Sequence, residues 1–170
     1  MASHPDVPEA LASGLKRTLQ AFWPGASFRA LQMEACAATL QGRDCLLILP
    51  TGPFQLLPLY HLHCPPAAAY AALPQFNQHL TKTGGGKSLT YQLPPAYREQ
   101  IAVVVTPLLA LSSDQAAAAN ERGLDAASWD SRASPQQLAA IARELQSSPE
   151  DCTLRLLYTT PESLATPALR

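Results

Sequence analysis

Thr83-Gly84-Gly85-Gly86-Lys87-Ser88 places three consecutive glycines directly ahead of a lysine and a serine. Glycines let the backbone curl until successive N–H groups face one anion. The lysine supplies a cation for the outer phosphates, the serine hydroxyl can ligate Mg²⁺, and a helix starting at this point adds its own positive end. The stretch therefore reads as a phosphate loop. The strict pattern wants a further glycine six residues before the lysine, and Thr81 stands there instead. Taken alone, the six residues are also compatible with a flexible glycine-rich turn, so the flanking segments decide.

Upstream, Cys45-Leu46-Leu47-Ile48-Leu49 is an apolar run after a turn at Gly42-Arg43-Asp44, the pattern of a strand buried on both faces of a parallel sheet. It ends at Pro50-Thr51-Gly52. A strand feeding a glycine turn that opens a helix is the context a phosphate loop needs. Here residues 53–82 intervene, with Pro53, Pro58, Pro65, Pro66 and Pro74, an alanine cluster from Ala67 to Ala72, and no helical or strand period. Removing residues 53–84 would join Pro50-Thr51-Gly52 directly to Gly85-Gly86-Lys87-Ser88. These residues are expected to be an in-frame insertion, a retained intron and a gene-model error being two origins for it.

Further out, Asp6-Val7-Pro8-Glu9 reads as a capping box with proline at the first helical position of a helix over about 8–22, carrying Leu11, Leu15, Leu19 and Phe22. After Trp23-Pro24-Gly25, Ser27 is expected to cap a second helix from Phe28 to Leu40 that closes at Gly42. That helix would gather Phe28, Arg29 and Gln32 at its start. The group reads either as a solvated face with Phe28 in the core or as a base-recognition patch, Gln32 offering a donor and an acceptor to adenine.

Downstream of the glycines, a helix starting at Lys87 is expected to end or kink at Pro94-Pro95. Ile101-Ala102-Val103-Val104-Val105 is a second buried-strand run, followed by a helix over about Leu108–Asn120 that ends at Gly123. Trp129-Asp130-Ser131 reads as loop. Ser134-Pro135-Gln136-Gln137 is a capping box opening a helix through about Gln146. Leu154-Arg155-Leu156-Leu157-Tyr158 is a third strand, and Thr160-Pro161-Glu162 begins another helix. Strand, helix, strand, helix, strand predicts a three-layer α/β domain with a mainly parallel sheet and ligands at the carboxyl ends of its strands.

The chain has 170 residues, 47% of them hydrophobic, enough for a core; its net charge of -1 and pI near 6.4 argue against binding nucleic acid by bulk charge, so any such contact must be local. Cys36, Cys45, Cys64 and Cys152 form no C-x-x-C pair and read as reduced thiols. No apolar stretch reaches membrane-spanning length and no secretory leader is evident, so no membrane partner is expected.

Several segments together resemble the first motor domain of the RecQ family of DNA helicases. Phe28-Arg29-Ala30-Leu31-Gln32 is similar to that family's adenine-reading motif, and Gly42-Arg43-Asp44 with the following strand to its lead-in. Gly85-Gly86-Lys87-Ser88-Leu89-Thr90-Tyr91-Gln92-Leu93-Pro94 resembles the phosphate loop and its helix, with Thr90 where a Cys is common. Thr106-Pro107-Leu108-Leu109-Ala110-Leu111 through Asp114-Gln115 and Leu157-Tyr158-Thr159-Thr160-Pro161-Glu162 resemble two later motifs. The resemblance covers about residues 19–164, apart from the interruption.

It implies an ATP-driven 3′-to-5′ unwinding motor for DNA repair and recombination, nuclear in location, built of RecA-like (P-loop) domains. Residues 1–26 would be a helical lead-in, and 27–170 a partial, incomplete ATP-binding domain interrupted at about 53–84. Arg29 and Gln32 would hold adenine, and Thr83, Gly84, Gly85, Gly86 and Lys87 the phosphates. Ser88 would hold Mg²⁺, and Pro107 and Leu108 would lie along single-stranded or partly duplex DNA.

No Asp-Glu-Ala-His segment precedes Arg170 and no second motor domain follows, so no catalytic residue is assigned. The chain as written is expected to bind ATP weakly at most and not to unwind DNA. An inert nucleotide- or single-strand-binding module and another phosphate-loop ATPase or kinase are the alternatives. His61-Leu62-His63-Cys64 with His79 lacks the paired spacings of structural zinc sites. Nothing in the sequence places Asp114 and Glu162 together as an acid/base pair; Asp114 reads as a helix-surface carboxylate or an internal hydrogen-bond acceptor, and Tyr158 and Trp129 as core or loop packing.

Overall fold

The structure, a computed structural model, describes residues 7–29, 31–45 and 87–166. The segment at 53–84 expected to be an insertion, its His61-Leu62-His63-Cys64 set, the glycines of the expected phosphate loop and all but Cys45 of the strand expected at 45–49 lie outside the described residues.

The chain opens with α1 (Glu9–Phe22), which buries Leu15 and Leu19. Pro8 stands at its N-cap, its carbonyl accepting the Ala12 N–H at 2.9 Å, rather than at the first helical position as expected; Asp6 is not among the described residues. The second helix, α2 (Gln32–Leu40), starts later than the expected Phe28 and without a cap from Ser27. The reason is a local turn. The Gln32 Oε1 accepts the Arg29 N–H at 2.7 Å, and Leu31 takes a left-handed conformation with φ of 68°. That conformation costs a non-glycine residue roughly 1–2 kcal/mol and does not continue a helix. At the other end Gly42, with φ of 71°, lets the Arg43 N–H reach back to the Ala38 carbonyl at 3.0 Å, as expected of a glycine closing a helix.

The next helix, α3 (Lys87–Arg98), continues beyond Pro94 and Pro95, so the prolines do not end it: both lie within the helix and are buried. Prolines there leave the carbonyls of Thr90 and Tyr91 without their usual N–H donors. The Cys36 thiol of α2 approaches the Thr90 carbonyl at 3.8 Å and substitutes for one of them. Burial of every residue from Leu89 to Pro95 then outweighs the helix-breaking tendency. Leu15, Leu19, Met33, Cys36, Leu40, Leu89 and Leu93 form the core that α1, α2 and α3 share.

Thereafter come β1 (Ala102–Val105), α4 (Leu109–Asn120), β2 (Ala126–Trp129), α5 (Pro135–Gln146), β3 (Leu156–Thr159) and the short α6 (Pro161–Leu164). The described strands form a parallel sheet ordered β1-β3-β2, with Ala102 and Ala126 both opposite Leu156, and Val105 and Trp129 both opposite Thr159. The mainly parallel α/β architecture is as expected. The strand β2 is not: Trp129 belongs to it rather than to a loop. Ala126-Ala127-Ser128 has little strand propensity and no apolar alternation, so pairing with β3 makes the strand.

Side chains alternate across the sheet. Leu156 and Tyr158 of β3 and Val104 of β1 face Tyr91 of α3 and Ala116 and Ala119 of α4. Leu157 of β3 and Trp129 of β2 face Ile141 and Leu138 of α5. The sheet is thus the middle of three layers. The expected capping box on α5 is present, Ser134 Oγ accepting the Gln137 N–H at 3.2 Å and Gln137 Oε1 accepting the Ser134 N–H at 2.8 Å.

Candidate nucleotide-binding site

Parallel strands bring all their carboxyl ends to one edge, and two hydrogen bonds hold that edge together. The Thr106 N–H donates to the Thr159 carbonyl at 2.9 Å, and the Thr159 hydroxyl donates to the Trp129 carbonyl at 2.9 Å. Helix α4 begins just past this edge, directly after Pro107 and Leu108, and the exposed Leu108 keeps 49% of its surface open.

Lys87 and Ser88 form the first turn of α3, where unpaired N–H groups and the helix dipole favour an anion. Among the described residues the buried Lys87 Nζ has no hydrogen-bond partner. A buried ammonium in that state is costly unless an anion completes it. Ser88 donates its hydroxyl hydrogen to Gln115 Oε1 of α4 at 3.1 Å, and the Tyr91 hydroxyl donates to the same oxygen at 3.1 Å. One turn further on, Gln92 Nε2 donates to the Tyr158 hydroxyl of β3 at 3.0 Å, beneath an edge-on Tyr91–Tyr158 ring pair. Burial pushes both phenols above their ordinary range, so they act as neutral hydroxyls. This polar ladder ties the start of α3 to the sheet and to α4. The residues present suit a nucleoside triphosphate with a divalent cation: an orphaned ammonium for phosphate, and a hydroxyl oxygen with free lone pairs for the metal.

Arg29 and Gln32 come together in the turn ahead of α2, not on one helical face. Gln32 is only 2% exposed, while Arg29 is exposed. Helix α2 in turn lies directly on α3 through the Cys36 thiol. Thr83, Gly84, Gly85 and Gly86 are not among the described residues.

A second polar cluster, around Asp130, was not singled out in the sequence. Its carboxylate follows β2 and is 4% exposed. Ser112 and Ser128 donate to its Oδ2 at 3.1 and 2.8 Å, the Arg132 N–H donates to Oδ1 at 2.8 Å, and the Arg132 guanidinium pairs with Oδ2 at 3.1 Å. The same guanidinium reaches the Leu109 carbonyl and Ser113 on α4. Burial pushes the Asp130 carboxyl up, and the hydrogen bonds from Arg132, Ser128 and Ser112 outweigh it, holding it at about 2. The cluster fastens the tip of β2 to the start of α4. Asp114 is exposed, the first of its two readings, and so is Glu162; Tyr158 and Trp129 are packed, as expected. Among the described residues no group of His, Cys, Asp and Glu could hold a metal ion, and no helix is long and apolar enough to cross a membrane.

No protein-family model matches the chain. Curated relatives do. ATP-dependent DNA helicase Q1 of Rattus norvegicus is 27% identical over 151 residues, 89% of this chain and 19% of the relative. ATP-dependent DNA helicase RecQ of Synechocystis sp. is 30% identical over 150 residues, 88% of this chain and 24% of the relative. A putative helicase Q1 of Caenorhabditis elegans is 38% identical over 86 residues, 51% of this chain and 13% of the relative. Over most of its length the chain is similar to helicases of the RecQ family. It spans a quarter or less of the length of these relatives. Its parallel α/β fold is that of a partial RecA-like domain, and the RecQ relatives are by name ATP-dependent DNA helicases.

Proposed function

We propose that this chain is the ATP-binding part of a RecQ-type DNA motor, acting inside the cell, in the nucleus, on single-stranded or partly duplex DNA in repair and recombination. Residues 1–26 serve as the helical lead-in and 27–170 as the ATP-binding part, interrupted at about 53–84. The observation that carries the reading is the buried Lys87 Nζ in the first turn of α3, which has no partner among the described residues. Lys87 takes the β- and γ-phosphates, with Thr83, Gly84, Gly85 and Gly86 supplying backbone donors ahead of it. Ser88 presents its oxygen to Mg²⁺. Arg29 and Gln32 hold the adenine, and Pro107 with the exposed Leu108 lies along the single strand. When bound, MgATP supplies the phosphoanhydride and neutralises its charge; the protein's share is positioning and electrostatic stabilisation.

Titration of labelled ATP in the presence of Mg²⁺ against the wild type and Lys87→Ala tests this. Loss of affinity in the variant, about tenfold or more for a charge-assisted contact, is expected. Equal affinities would remove Lys87 from the site. As written, the chain is expected to bind ATP without unwinding DNA; an inert nucleotide- or strand-binding module is the second reading, and reading the coding sequence beyond codon 170 separates the two, an Asp-Glu-Ala-His segment there being expected of the motor only.

A further inference from the structure

We infer that Gln115, on α4, is a positioning residue for the Mg²⁺ ligand Ser88. This rests on the nucleotide reading above. The carboxamide oxygen is an acceptor only, and it receives two protons, from Ser88 Oγ and from Tyr91 OH, each at 3.1 Å. The Ser88 hydroxyl hydrogen is thereby drawn toward the Gln115–Tyr91 pair. The lone pairs of its oxygen would then be left available for a cation.

Were the hydrogen free to rotate, the same oxygen would present a proton to the cation for part of the time. The Tyr91 hydroxyl holds the other side of the Gln115 oxygen, and Tyr91 is itself buried against Tyr158, so the acceptor has a fixed address. Groups that orient a metal ligand in this way tune the affinity of the metal rather than touching it. Gln115 lies about 1.7 turns into α4, which begins at Leu109 directly after Pro107 and Leu108, so the proposed metal ligand is registered against the element that leads out to the proposed strand-binding edge.

The test compares ATP affinity with Mg²⁺ and with EDTA in the full chain, for the wild type, Gln115→Leu, Gln115→Glu, Ser88→Ala and the Gln115→Leu/Ser88→Ala pair. In Gln115→Leu the Mg²⁺-dependent gain in affinity is expected to fall about tenfold while the EDTA value holds. Gln115→Glu keeps an acceptor oxygen in place and is expected to retain the gain. The double variant is expected to be no worse than Ser88→Ala alone, because both remove one interaction.

A Gln115→Leu protein with full Mg²⁺ dependence overturns the inference. So does an equal loss with and without metal, which would mark a purely structural role, or a Gln115→Glu protein that behaves like Gln115→Leu. Failure of the nucleotide reading looks different, because then Lys87→Ala binds ATP as the wild type does in either buffer. That result overturns both.

Discussion

Replacing Asp130 by Asn removes a charge and keeps the shape. In the folded protein the carboxylate accepts from Ser112, Ser128 and Arg132, and its pKa falls from the ordinary 3.8 to about 2. A drop of that size corresponds to about 2 kcal/mol of stability contributed by the ionised form. Because the folded value is depressed, the contribution is complete above about pH 4 and disappears as the pH falls through about 2. Asn can still accept from the serines, so Asp130→Asn is expected to cost about 2 kcal/mol at pH 7 rather than the larger penalty of an unfilled site.

Urea unfolding of both proteins from pH 7 down to pH 3 measures this directly, with the slope m held common. The gap between them should be constant from pH 7 to about 5 and narrow steadily below 4. A gap under about 0.5 kcal/mol at neutral pH would show that the cluster is solvated and weak, as exposed ion pairs are. A gap that ignores acid would show that the charge is not its origin.

Three other outcomes are expected. Lys87→Met removes the orphaned ammonium and should raise the stability of the nucleotide-free protein by about 1 kcal/mol in urea unfolding, while weakening ATP binding; a destabilised variant would mean that the ammonium is already satisfied. Ser134→Ala breaks the capping box of α5 and should cost about 1 kcal/mol, with Ser134→Asp restoring most of it, both read by thermal or urea unfolding. Burial pushes the Cys36 thiol up to about 12 and leaves it 0% exposed, so maleimide at pH 8 should label half-buried Cys45 and spare Cys36 until urea is added, as peptide mass spectrometry would record.

The parts of this fold that could be read in advance are those whose causes are local. Val103-Val104-Val105 and Leu156-Leu157-Tyr158 announce buried strands by composition, and Ser134-Pro135-Gln136-Gln137 carries its whole cap within four residues. Where the cause is remote, local reading failed. β2 is a strand because β3 lies beside it, and α3 crosses two prolines because its buried face and the Cys36 thiol hold it; the late start of α2 has a local cause, the Gln32 side chain closing a turn on Arg29, that residue type and spacing alone do not announce.

The site divides in the same way. Lys87 and Ser88 follow from the glycines ahead of them, whereas Gln115 reaches Ser88 across 27 positions of sequence and Ser112 reaches Asp130 across 18. Asp114-Gln115 lies within a stretch that resembles a family motif, yet nothing in the residues themselves assigns the glutamine a task.

The strand order β1-β3-β2 also governs how this part of the chain can be made. Among the described strands, β1 and β2 do not pair with each other; each pairs with β3, the last of them to be synthesised. During translation residues 102–105 and 126–129 leave the ribosome with open hydrogen-bonding edges and wait, with α4 and α5, until residues 156–159 emerge between them. Chain growth at roughly 5–20 residues per second sets that wait at a few seconds, during which the helical unit of α1, α2 and α3 can pack but the described sheet cannot close. A nascent chain of this kind is most exposed to strand-mediated aggregation just before its third described strand arrives.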